Sequence, residues 1–115
     1  MYVAIVGSRT FTNYQLLKDK CLRVLSRSKN VTIVSGGAKG ADGLAERFAN
    51  EFKLPVIVIR ADWQTHGKRA GMIRNGQLLS IASHVIAFWD EESTGTSHMI
   101  LNAKKQNKPI RIIKF

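Results

Sequence analysis

Three short segments hold the residues able to do chemistry: Gly7-Ser8-Arg9-Thr10, Ser35-Gly36-Gly37-Ala38-Lys39-Gly40, and Asp90-Glu91-Glu92-Ser93-Thr94-Gly95-Thr96. All are rich in glycine and hydroxyls, and each follows an apolar run. Glycine lets a backbone approach a ligand without a Cβ in the way. Helix N-termini add free N–H groups and a favourable dipole for anions. Arg9 and Lys39 would add positive charge, and Ser35, Thr94 and Thr96 would add hydroxyls. The chemistry implied is phosphate binding. One glycine-rich turn is what any tight corner needs; two at strand ends favour a phosphate site over plain turn chemistry. The second segment lacks the Gly-Lys-Ser/Thr ending of a Walker loop, and Gly7-Ser8-Arg9-Thr10 is not a dinucleotide fingerprint.

Other candidates have plainer readings beside the functional ones. Asp42 is either favourable charge in the first turn of a helix or a contact to a ribose hydroxyl. Arg74 and Asn75 are either a solvated helix face or ligand contacts. Asp90, Glu91 and Glu92 could hold ribose hydroxyls or a metal, or form a solvated loop. Trp63 reads first as packing over a sheet edge, with stacking on a base as the alternative. His66, His84 and His98 lack metal-ligand spacing, so no metal is expected, and no cofactor.

These residues need a frame. Five short, continuous apolar runs, Tyr2–Val6, Val31–Val34, Val56–Ile59, Val85–Trp89 and Ile110–Phe115, are rich in β-branched residues. Such runs mark strands buried on both faces, as in a parallel sheet. Helical patterns alternate with them. Thr12 to Gln15 has capping-box spacing, and a helix follows with Leu17, Cys21, Val24 and Leu25 on one face. Ala41, Leu44, Ala45, Phe48, Ala49 and Phe52 recur at helical period. A third helix is expected over about 72–82 and a fourth from near Thr96. The expected fold is α/β: a Rossmann-like, doubly wound, mostly parallel five-stranded sheet with helices on both faces, in the order 3-2-1-4-5. Residues 1–115 form one domain. Ligands in such sheets bind where the strand order reverses.

Composition narrows the class. The chain has 115 residues and a formal net charge of +10, which favours anionic partners. The apolar start reads as a strand, not a signal peptide, and no apolar run is long enough to span a membrane. A single cysteine, Cys21, fits a cytoplasmic protein.

"GSRTF", "SGGAKGAD", "DWQTHGKRAGMIRNGQL" and "IAFWDEESTGTSH" occur in this order along the chain. On these motifs the chain resembles the SLOG superfamily, and within it the small YspA/YpsA-related bacterial and phage subfamily. The resemblance implies a nucleotide-binding domain, often a homo-oligomer, whose ligands include NAD-derived nucleotides. Its best-studied enzymes are phosphoribohydrolases with a catalytic glutamate where this chain has Met99, so turnover is not expected. Arg74-Asn75 lies where the superfamily's arginine motif falls. The leading expectation is a nucleotide sensor or sequestering protein. Its ligand contacts are Gly7, Ser8, Arg9, Ser35, Gly36, Gly37, Lys39, Gly40, Asp42, Arg74, Asn75, Asp90, Ser93, Gly95 and Thr96. A nucleotide hydrolase of the N-glycosidase type, and single-stranded DNA binding as in the DprA branch, are the alternatives.

Overall fold

The computed structural model describes all 115 residues. Five strands, β1 (Tyr2–Gly7), β2 (Thr32–Ser35), β3 (Val56–Val58), β4 (His84–Trp89) and β5 (Ile110–Lys114), form one sheet in the order β3-β2-β1-β4-β5. All four pairings are parallel. The central strands β1 and β4 are buried along most of their length, as their unbroken apolar runs require.

Helices cover both faces. α1 (Tyr14–Leu25) and α2 (Ala41–Glu51) lie on one side, where Leu17, Cys21, Ala45 and Phe48 pack against Val3, Ile5 and Ile86. On the other side lie α4 (Ala70–Ile81) and α5 (Thr94–Lys105), where Leu78, Leu79, Met99 and Ala103 meet Ala4, Val34 and Ala87. Side chains alternate across β1, so Val3 and Ile5 feed one core while Ala4 and Val6 feed the other.

Several local expectations shift. Asn13, not Thr12, caps α1, its side-chain oxygen accepting from Leu16 N at 3.0 Å. Both residues can cap, and the chain direction after Phe11, itself buried, selects the second. Val24 is 37% exposed; the α1 face on the core is Leu17 and Cys21, with Leu25 partly buried against it. α5 starts two residues before Thr96, capped by Ser93. The segment before α4 contains a one-turn helix, α3 (Trp63–His66), and a 3-10 turn, Gly67–Arg69. Asp62 caps α3 by accepting from Thr65 N at 3.1 Å.

Candidate functional site

The chain runs outward from β1 to β3, then returns to β4, so the strand order reverses between β1 and β4. Two loops leaving this point diverge, and a crevice opens between them. It is a cavity of about 600 Å³, within the usual range for small-molecule sites. Gly7–Thr10 and Ser93–Thr96 form two of its walls, Arg74, Asn75 and Leu78 of α4 a third, and Ala38 and Asp42 the side facing α2.

Side chains hold these walls in register. Ser8, 1% exposed, takes the N–H of Asp90 on its hydroxyl at 3.2 Å. Its carbonyl accepts from Phe11 N and Ala41 N. One serine therefore joins the β1 loop to the β4 loop and to the start of α2. Opposite, Arg74 Nη1 donates to the Gly36 carbonyl at 2.7 Å, and its Nε donates to Asn75 Oδ1 at 3.3 Å. Asn75 Nδ2 donates to the Gly95 carbonyl at 3.2 Å and lies 3.3 Å from His98 Nδ1. Adjacent residues of α4 thus tie the loop after β2 to the start of α5.

The two helix N-termini facing the crevice differ. At α2, Asp42 is itself in the first turn, and its carboxylate already accepts from Ala38 N at 3.3 Å. A negative group there opposes a second anion. The first turn of α5 has no acidic residue. Ser93 Oγ accepts from Thr96 N at 3.4 Å, while the N–H groups of Thr94 and Gly95 have no partner within the chain. Ser93, Thr94, Gly95 and Thr96 all line the cavity. This end combines free donors, hydroxyls and a dipole of the sign that attracts phosphate, beside the Asp90 carboxylate that takes the Ser93 N–H.

The acids are held in different states. Asp42 is 5% exposed, and burial pushes its carboxyl up from 3.8 to about 6, against the pull of Arg74, of the Ala38 N–H and of Arg9. Burial also lowers the pKa of Arg74, with Asp42 opposing. Asp90 is shifted the other way: the N–H groups of Ser93 and Glu92 bond its carboxylate and lower its pKa. Asp90 Oδ1 accepts these at 2.7 and 2.9 Å, which shapes the turn into α5. Glu91 pairs with Lys114 at 2.8 Å on the surface.

Ten of the residues expected from sequence line the one cavity: Gly7, Ser8, Arg9, Asp42, Arg74, Asn75, Asp90, Ser93, Gly95 and Thr96. The other five, Ser35, Gly36, Gly37, Lys39 and Gly40, stand outside its wall. Ser35 is fully buried and bonds the Asp42 carbonyl at 3.1 Å. The Gly36 and Gly37 carbonyls are engaged by Arg74 and Arg60, each at 2.7 Å. Gly40 has φ +75°, and a Cβ there would stand 2.4 Å from the Ser8 carbonyl oxygen. This loop's glycines serve its own tight path. Lys39 is exposed. Sequence reasoning missed Lys68 and Met72, which also line the cavity, and the Arg60 clamp on Gly37. Lys68 sits in the 62–69 stretch, which reads as plain loop polarity, and Met72 lies in α4, where the third helix was expected.

The comparisons with known proteins come down on one family. The family model for YspA, cpYpsA-related SLOG proteins matches residues 1–66. The chain is 36% identical to the gene 61 protein of Mycobacterium phage D29, over 94% of this chain and 92% of that protein. Its fold is similar to that of DNA processing protein A from Helicobacter pylori, reported for its single-stranded DNA binding mode. The TM-score is 0.75 at 22% identity, over 97% of this chain and 64% of that one. The chain belongs to the YspA, cpYpsA-related SLOG family.

Proposed function

We propose that this protein binds a nucleotide, NAD-derived nucleotides included, in the crevice between β1 and β4, as a sensor or sequestering protein. The observation that carries this is the start of α5. Two free N–H groups and the Ser93, Thr94 and Thr96 hydroxyls open into the same cavity as Arg9 and Arg74. The phosphate sits on that helix end. Asp42, lining the same cavity, accepts hydroxyls of the sugar. Met99 is 1% exposed and lines the wall where hydrolysis would need a carboxylate, so binding proceeds without cleavage of the glycosidic bond. A single strand of DNA is the second reading, favoured by the +10 charge and by the fold shared with DNA processing protein A.

Gly95→Asp tests the phosphate site without attacking the fold. A Cβ at Gly95 meets nothing within 4 Å, and an acidic residue in the first turn of a helix is neutral or mildly stabilising. In calorimetric titration with nucleoside monophosphates, the variant is expected to lose at least about tenfold in affinity, since two like charges would share one site. Its thermal midpoint should match or exceed the wild type's. Undiminished affinity would remove α5 from the site. A steep salt dependence and a preference for an oligonucleotide over the mononucleotide would move DNA to first place. Release of free base would overturn binding without turnover.

A further inference from the structure

Residues 62–69 are all exposed, the longest such run in the chain. The segment is held mainly by its own hydrogen bonds: Asp62 caps α3, His66 N reaches the Asp62 carbonyl, and Gly67 N closes on the Trp63 carbonyl. Gly67 has φ +55°, and a Cβ there would meet nothing within 4 Å. That glycine is required by backbone direction alone, not by close packing. The segment rests chiefly on α4. At its two ends, Arg60 is pinned to the Gly37 carbonyl and Ala70 is buried. A unit bonded within itself, anchored at both ends and packed on little between, can move as one piece.

Two of its side chains belong to the cavity. Trp63 lines it and yet is 53% exposed; its ring edge lies 3.7 Å from where a Cβ on Gly71 would stand. Lys68 lines it as well. A large indole left half in water at a cavity wall is well placed as a platform for a flat ring. Met72, 56% exposed, extends this apolar rim. The phosphate donors at α5 line the same cavity, so it offers both an anion site and an apolar surface for a flat ring.

We propose that residues 62–69 form a flap that closes on the bound nucleotide, with Trp63 stacking on the base and Lys68 reaching the phosphate. This rests on the nucleotide reading above and extends it to base recognition. Stacking accepts any flat base, so the flap supplies affinity for a nucleobase in general.

The test compares Trp63→Ala and Trp63→Phe in titrations with a nucleoside monophosphate and with ribose 5-phosphate, which lacks the base. Trp63→Ala is expected to weaken nucleotide binding by about 5- to 150-fold, the range for a lost stacking contact. Trp63→Phe should keep most of the affinity, and ribose 5-phosphate should bind all three proteins alike. Lys68→Ala should weaken both ligands. Unchanged nucleotide affinity in Trp63→Ala would overturn the flap while leaving the phosphate site standing. So would a Trp63→Phe variant as weak as Trp63→Ala, or equal losses for the two ligands in Trp63→Ala. A wild-type protein that binds neither ligand would overturn the nucleotide reading and the flap with it. Both substituted positions, Trp63 and Lys68, carry exposed side chains, so each variant is expected to fold.

Discussion

Asp42→Asn should make the protein more stable at neutral and alkaline pH, by up to about 3 kcal/mol, and change little near pH 4. The carboxyl is 5% exposed at the cavity wall, and its folded pKa is raised from 3.8 to about 6. Desolvation is the leading cause; Arg74, the Ala38 N–H and Arg9 oppose it, and Glu46 adds to it. A raised folded pKa means that the native state holds its proton more tightly than the unfolded chain. Stability from this group is therefore complete below 3.8 and is lost as pH rises through about 6. Asparagine is close in shape, keeps an oxygen for Ala38 N, and has no charge to desolvate. Urea denaturation of both proteins at about pH 4 and about pH 8 reads the difference directly. A stability gap that does not grow between those values would show that Asp42 is not the buried charge described here. Retaining such a costly carboxylate beside a cavity is the trade of stability for function found in binding sites.

Gly7→Ala should cost about 3 kcal/mol or more and disable the crevice with it. A Cβ at this position would stand 2.3 Å from the Phe88 carbonyl oxygen and 2.7 Å from the Ala41 Cβ. Neither neighbour can step aside. Phe88 is held in the β1–β4 ladder as the partner of Gly7, and Ala41 opens α2, with its N–H on the Ser8 carbonyl. Relief must come from parting β1 and β4 at their carboxyl ends, which pulls apart Ser8 and Asp90 on the cavity floor. The contrasting substitution is Gly76→Ala. That glycine lies inside α4 with nothing within 4 Å of a Cβ, so alanine should stabilise by about 0.5–1 kcal/mol. Chemical denaturation of the two variants beside the wild type checks both signs. A well-folded Gly7→Ala protein of native stability would mean that the strands at the switch point are not packed this closely.

The sheet and its order were legible from the chain alone because their signals are local and repeated. Ala4-Ile5-Val6 and Val85-Ile86-Ala87 are apolar without alternation, and only a strand covered on both faces needs that. The α2 face repeats over three turns, which no strand can satisfy. Alternating strands and helices with right-handed crossovers then left few ways to order the sheet. That order brought the β1 and β4 loops together, and with them seven of the ten expected residues that line the cavity; Asp42, Arg74 and Asn75 arrive on α2 and α4. The fate of the Ser35–Gly40 loop was not legible. Whether its glycines face a ligand or the protein depends on Arg74, 38 residues from Gly36 in sequence, and on Arg60, 23 residues from Gly37. Equally, that Asn75 would join α4 to Gly95 depended on the packing of α4 against α5. The one-turn helix at Trp63–His66 was not expected because a single turn is too short to show a period. Glycine spacing states only that a backbone must turn; which groups it turns toward is set by side chains that arrive from distant positions once the core has closed.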